Sequence, residues 1–501
     1  MTAPLARVAG TALLWKAVQL LGAKVIFLAR LLVLSYLLGP EEFGLLAIAL
    51  SAIGFMLAVT DFGMTAALVQ HAENDDRHYH VAWSVGVIRA LMITVVVFAS
   101  APLIAGLFSE PRATELLRVL SLTPLLDALA SIKVADLTRR LEFRPLAFIG
   151  LAQALSNTAV AIGLAHLLGV WALVAGVLAG SLTRTAISYV LAPYRPRLLL
   201  EPAALQPLIR FGRWIFLTGL IAELGGMLLK VVIARRLGTA ELGLFYLANS
   251  IATLPAQIAG ELVGSVAFSL YARLQSNIHQ VTRAFRTILT GMGVLLVPLS
   301  ALFIALAPLL VDTLFDARWA GTGPIIQILV LSGLIGLFGD AAVPLFKGVG
   351  QPYRITILEI VQSSLVILLI WGLTGHYGLM GAPMAILASI TASQAVSGLF
   401  VFRLLDHPYR GLKQRTLTIM GAALAGALAS LVVTRFLSGI AALVVAGTTG
   451  VLISAGIILR YNHRLDLGLV QDFSRAFPQI AALLRVSPHR GETRVRDNHS
   501  A

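Results

Sequence analysis

From Phe43 to Gln70 the chain runs for 28 residues with Asp61 as its single charged side chain. A helix of that length rises about 42 Å, more than the ~30 Å of hydrocarbon in a bilayer. Apolar stretches of this kind recur from one end of the sequence to the other. No water reaches backbone groups at that depth, so each span must close its hydrogen bonds internally. The alternation that a transmembrane barrel needs is absent, which leaves helices. The predicted fold is an all-α polytopic membrane protein. Composition agrees: of 501 residues 58% are hydrophobic and 12% charged, with a mean hydropathy of +0.88. There is no cysteine, which excludes disulfides, thiolate zinc sites and cysteine nucleophiles.

The hydropathy pattern predicts fourteen spans, near 10–38, 43–70, 79–107, 112–137, 144–167, 170–193, 207–236, 241–272, 283–312, 322–346, 351–374, 378–404, 416–436 and 438–460. An even number places both termini on one side. The loops then sort by charge. About twenty-six basic residues fall on the side of the termini, including Arg77, Lys133, Arg139, Arg140, Arg144, Arg195, Arg197, Lys347 and Arg354. Only Arg112, Arg235, Arg236, Arg318 and Arg435 fall on the other. By the positive-inside rule both termini are cytoplasmic. The net charge of +14 therefore reads as orientation and not as a nucleic-acid surface. Arg7 precedes a long helix containing Lys16, Lys24 and Arg30, without the short apolar core and cleavage site of a removable signal peptide. The outward loops are all short.

The chain also repeats itself. Leu38-Gly39-Pro40-Glu41-Glu42-Phe43-Gly44-Leu45 is echoed by Leu237-Gly238-Thr239-Ala240-Glu241-Leu242-Gly243-Leu244, and each copy joins two apolar helices. Arg139–Arg144 leads into the fifth span as Lys347–Arg354 leads into the eleventh, and Gly169-Val170-Trp171-Ala172 matches Gly378-Leu379-Met380-Gly381. Two six-helix halves in one orientation follow, 1–200 and 201–410, as parallel repeats in transporters are arranged. Residues 411–460 add two helices, and 461–501 form a cytoplasmic tail with an amphipathic segment and a disordered end.

The stretch YLLGPEEFGLLAIALSAIGFMLAVTDFGMTAALVQ resembles the opening of the polysaccharide transporter (O-antigen flippase, Wzx-type) family. RRLEFRPLAFIGLAQALSNTAVAIGLAHLLGVWALVAGVLAGSLTR resembles that family's spans five and six, and RRLGTAELGLFYLANSIATLPAQIAGELVGSVAFSLYARLQ the second-half counterpart of its opening. The likeness covers about residues 10–460. It implies the multidrug/oligosaccharidyl-lipid/polysaccharide exporter fold, a V-shaped pair of bundles around a cavity that opens alternately to each side. It implies location in the bacterial cytoplasmic (inner) membrane and an undecaprenyl-diphosphate-linked oligosaccharide as substrate. Membrane lipid, a glycan polymerase and a chain-length regulator are the implied partners. No cofactor and no nucleic acid are expected.

Charge within the spans is the informative chemical signal, because each such group costs several kcal/mol unless it faces water or a partner. The basic residues are Lys16, Lys24, Arg30, Arg89, Arg118, Arg184 and Lys230. At 100° per residue Lys16, Lys24 and Arg30 share a face of roughly 120°, with Gln19 beside them. That face suits an anionic head group such as a diphosphate or an acidic sugar. Lys16, Arg118 and Arg184 instead reach the membrane surfaces by snorkelling, whereas Lys24 and Arg30 lie too deep for that. Glu223 and Lys230, seven residues apart, share a face with Gly219 and Gly226. They read equally as a cavity wall and as close helix packing.

Asp61, Asp127, Glu223, Glu261, Asp340 and Glu359 are the acids available to bind a coupling proton or sodium ion, Asp61 and Asp340 before the others. Asp61 reads more readily as a helix cap or the partner of a neighbouring arginine, and Gln153 and Asn157 equally as helix–helix glue and as sugar ligands. His71, His78 and His80 flank Glu73, Asp75 and Asp76 in a short loop without helical ligand spacing, which reads as solvated and not as a metal site. Lys347–Gly350 lacks the Walker spacing, so transport must draw on an ion gradient or the substrate's own gradient. A flippase for lipid-linked oligosaccharide is the leading reading. A multidrug exporter of cations would show an acidic cavity, and a membrane glycan polymerase or ligase would carry a large external loop. A peptidoglycan-precursor flippase differs only in motif.

Overall fold

The computed structural model describes residues 3–60, 76–140, 142–200 and 202–465. Every regular element among them is helical. In chain order these are α1 (Ala3–Leu37), α2 (Pro40–Thr60), α3 (Asp76–Leu107), α4 (Ala113–Leu120), α5 (Leu122–Ala128), α6 (Val134–Arg139), α7 (Phe143–Leu168), α8 (Val170–Leu191) and α9 (Pro202–Leu237). There follow α10 (Thr239–Ala252), α11 (Leu254–Leu274), α12 (Ile278–Leu314), α13 (Thr322–Gly348), α14 (Tyr353–Tyr377), α15 (Gly381–Leu404), α16 (Leu412–Val433) and α17 (Gly439–Leu465). Among the described residues eleven stretches are long and apolar enough to cross a membrane, and the longest, Tyr353–Leu404, holds two helices. The chain is an all-α multi-pass membrane protein. Leu103, Leu167, Val190, Leu368, Leu452 and Phe436 stand exposed on the outside of the bundle, as lipid-facing side chains do. Asp61 and the residues after it to 75, with His71, Glu73 and Asp75 among them, lie outside the described residues, as does the tail beyond 465.

Two predicted spans are not continuous. The one expected over 112–137 folds as α4, α5 and α6. Pro124 supplies no amide hydrogen to the turn before it. Thr94 on α3 donates to the Ser121 carbonyl at 2.7 Å, so a side chain satisfies a backbone group released at the first break. At the second, the Ser131 amide donates to Ser188 Oγ at 2.8 Å and its hydroxyl to the Ala192 carbonyl at 2.6 Å. The span expected over 241–272 divides at Thr253, two residues before Pro255, for the same missing donor. Periodicity could not show either break, because the residues on both sides of each are equally apolar.

The two repeated corners touch. A Cβ on Gly44 would overlap the Thr239 carbonyl, and a Cβ on Gly243 would overlap the Pro40 carbonyl. Gly44 and Gly243 hold equivalent places in the two copies, as do Pro40 and Thr239, so the contact is reciprocal. Only glycine lets two backbones approach so closely. At the far turns Gly169 (φ +55°) joins α7 to α8 and Gly378 (φ +56°) ends α14, again at matching places. One hydrophobic core surrounds the corners and draws on both copies, with Leu31, Leu34, Ile48 and Leu117 against Ile233, Leu242, Phe245 and Trp319. A second core, around Tyr271, Phe285 and Phe346, belongs to α11–α15. α16 and α17 pack on each other and against α12.

Candidate functional site

A cavity of about 720 Å³ lies between α1, the end of α6 and start of α7, and the broken pair α10–α11. It begins at Lys16, Thr138 and Phe143, beside the basic Arg139–Arg144 segment, and runs up to Phe27 and Asn249. From Lys16 to Phe27 that is about 16 Å along α1. One wall is the polar face of α1, with Lys16, Gln19 and Lys24. The facing wall is Asn249, Ser250, Thr253, Gln257 and Glu261. Four of these five recur every fourth residue, which keeps them on one stripe through the break at Thr253.

Lys24 Nζ crosses the cavity to donate to Gln257 Oε1 at 2.5 Å. The Gln257 amide nitrogen donates in turn to Thr253 Oγ1 at 3.1 Å, and Thr253 donates to the Asn249 carbonyl at 2.7 Å. Beyond the closed end, Arg30 stacks near Phe27 (5.3 Å) and donates from Nη1 to Asn157 Oδ1 on α7 at 2.6 Å. Tyr246 on α10 lies within its electrostatic reach. Lys16 sits over Phe143 at 5.9 Å at the mouth. Lys16 and Lys24 therefore line the cavity, Arg30 lies farther along the same helix, and both Lys24 and Arg30 rest on neutral amide oxygens.

The other predicted residues fall elsewhere. Lys230 is half-buried on α9, coupled electrostatically to Glu223, and the Glu223 carboxylate packs 3.3 Å from where a Cβ on Gly54 of α2 would lie. Arg89 is half-buried on α3, and Asp340 half-buried on α13; neither lines the cavity. Arg118 pairs with Glu115 at 2.7 Å and Arg184 with Asp127 at 3.5 Å. Glu261 is at the cavity wall, and Glu359 is within 3.4 Å of Ser363. His80 bonds the Tyr194 hydroxyl at 2.8 Å through Nδ1.

Sequence reasoning missed the facing wall. Its signal was available in the four-residue spacing of Asn249, Thr253, Gln257 and Glu261. It also missed a polar clasp at the corner end. Glu110 accepts from Thr239 Oγ1 at 2.6 Å and from Arg112 Nε at 2.8 Å, and Arg112 reaches Glu41 at 2.5 Å. Arg112 holds the Glu110 carboxyl below the usual carboxylate range. Arg318 in turn donates to the Tyr36 carbonyl at 3.0 Å and pairs with Asp316, while Trp319 donates to the Ser35 carbonyl at 2.9 Å. Leu107-Phe108-Ser109-Glu110-Pro111-Arg112 and Leu314-Phe315-Asp316-Ala317-Arg318 are one motif written twice, the second copy one residue shorter, with Leu-Phe 207 and the acid and arginine 206 residues apart. Each copy bonds residues of the opposite half.

The family model described as polysaccharide biosynthesis protein matches residues 33–324. The chain is 30% identical over 322 residues to the succinoglycan biosynthesis transport protein ExoT of Rhizobium meliloti (strain 1021), across 64% of this chain and 65% of that one. It is 24% identical to the lipopolysaccharide biosynthesis protein WzxC of Escherichia coli (strain K12), across 65% and 67%. The matched part thus spans about two thirds of each relative. Among solved structures the lipid II flippase MurJ, in an inward closed conformation, superposes with a TM-score of 0.74 at 14% identity, over 90% of this chain and 99% of that one. At that identity the likeness shows the fold alone.

Proposed function

Because the chain belongs to the polysaccharide biosynthesis protein family, we propose that it is a flippase that turns a lipid-linked oligosaccharide with an anionic head from the inner to the outer leaflet of a bacterial cytoplasmic membrane. The substrate class is an undecaprenyl-diphosphate-linked repeat unit of a capsule, exopolysaccharide or O-antigen. Residues 1–200 and 201–410 act as two rocking halves, 411–460 as appended helices, and both termini face the cytoplasm. A glycan polymerase and a chain-length regulator receive the product. Asp61 and Asp340 are the candidates for coupling to a proton or sodium ion, with Arg89, Lys230 and Glu223 lining the path in other states of the cycle.

One observation carries this reading. The cavity beside the basic loops presents Lys16 and Lys24, with Arg30 just beyond, and ends at Phe27 and Asn249, short of the glycine corners where the two backbones meet. That polarity favours an anion over a cationic drug, and a closed corner end with an opening at the other is one half of an alternating-access cycle. The experiment is depletion of the protein in its host. The lipid-linked oligosaccharide is expected to accumulate facing the cytoplasm, and unchanged levels and unchanged export of the glycan overturn the proposal.

A further inference from the structure

Arg30 and Lys24 come from the first helix, and each is met by a neutral amide on a different helix, Asn157 Oδ1 at 2.6 Å and Gln257 Oε1 at 2.5 Å. A buried or half-buried cation is ordinarily met by a carboxylate, which neutralises it. Here neither hydrogen-bond partner carries charge, although acids stand close by: Glu261 is one turn from Gln257 on the same wall. The orientation of the Gln257 amide is also fixed. Its nitrogen donates to Thr253 Oγ1 at 3.1 Å, whose own hydrogen goes to the Asn249 carbonyl, so the oxygen is left for Lys24. Asn157 is held from behind by Gly176 and Gly180 on α8, which leave room for its backbone and Cβ.

We propose that Asn157 and Gln257 are positioning residues that set the charge specificity of the cavity: each holds a cation in place by a hydrogen bond that an arriving anionic oxygen displaces, while leaving its positive charge uncompensated. The inference rests on the reading of an anionic substrate. A carboxylate at either place would hold the cation equally well in geometry and compete with the substrate for it. An amide is the one group of the same shape that orients without competing. Gln257 adds a link that Asn157 lacks. Its release from Lys24 by a bound anion frees the chain of hydrogen bonds that ends at the break in the α10–α11 helix pair, so occupancy is felt at the discontinuity.

The test uses the purified full-length chain and farnesyl diphosphate as the probe, with affinity read by calorimetry and unfolding followed in parallel. Asn157→Asp and Gln257→Glu keep shape and add one negative charge. Each is expected to weaken binding at least tenfold while leaving the unfolding temperature unchanged or raised, because a new ion pair forms. Asn157→Ala and Gln257→Ala are expected to weaken binding only a few-fold. A purely structural role would move affinity and unfolding temperature together, and that outcome overturns the proposal. So does equal affinity in the charged variants. Should Asn157→Asp fail to fold, Gln257→Glu on the open wall decides alone. Failure of the unaltered protein to bind the diphosphate, with the farnesyl alcohol as control, overturns the anionic-substrate reading itself and the inference with it.

Discussion

Arg30 is the single residue on which the account leans most. Its guanidinium offers a planar fork, and its hydrogen bond to Asn157, made through Nη1, leaves donors for a phosphate. A hydrogen bond involving a charged group is worth about 1.5–3 kcal/mol, so Arg30→Ala is expected to cut substrate affinity about ten- to hundredfold while the protein still folds. Arg30→Lys keeps a point charge but not the fork and falls between the two. Arg30→Glu is worst, since like charges then meet in a poorly screened site. The series is read as export of glycan at equal protein level. Full restoration of the Glu variant by a basic residue at an acidic position on another helix would make Arg30 a strut and not a ligand. The cations were legible in the sequence because charge in an apolar helix is expensive and therefore conspicuous. Asn157 and Gln257 were not, because an uncharged amide in a membrane helix serves equally as packing glue, and only its partner decides.

At the scale of elements, the corner clasp holds one end of the molecule shut. The Glu110 side chain is 11% exposed, and Thr239 provides one of its hydrogen bonds. Thr239→Val keeps the shape and removes the donor, at a cost of about 1–3 kcal/mol for the acceptor left short. With no native cysteine, Ala23→Cys on the cavity wall reports which end is open. Thr239→Val, and more strongly Gly44→Ala or Gly243→Ala, are expected to raise its labelling from the corner side several-fold, and unchanged labelling contradicts the clasp. The pH dependence has a definite sign. The Glu110 carboxyl lies below its ordinary value, so its contribution is fully present above about pH 4.3 and is lost only as pH falls through the lowered value. Labelling, taken relative to an always-exposed reference thiol because the thiolate is the reacting form, is therefore expected to be flat from pH 8 to 5, and Arg112→Ala to move the acid-induced rise upward toward pH 4.3. The corners were legible because a Gly-Pro-Glu-Glu sequence cannot continue a helix. Their reciprocal contact was not, since it depends on how two helices cross. The breaks at Ser121 and Ser131 were equally hidden, because each is satisfied by groups far away in sequence.

At the scale of the whole molecule, the membrane fold was legible from span length and charge alone, and the helix pairs α7–α8 and α14–α15 fall where the repeat placed them. The arrangement of the helices around a cavity was not, because no pattern along one chain says which polar faces meet. The proposed orientation is checked by thiols introduced at 41, 169 and 376, expected to react from outside, and at 139 and 197, expected to react from the cytoplasm. Reaction of position 41 from the cytoplasm alone contradicts it. The central claim, movement of an anionic lipid-linked glycan, is tested most directly in sealed vesicles carrying the purified protein and a polyprenyl-diphosphate-linked oligosaccharide in one leaflet. An impermeant reagent that modifies the sugar then measures how much has crossed. The account predicts crossing well above protein-free vesicles for the diphosphate-linked substrate, and little for the same glycan on an uncharged polyprenyl ether. No crossing of the diphosphate-linked substrate, or equal crossing of the uncharged one, would contradict it.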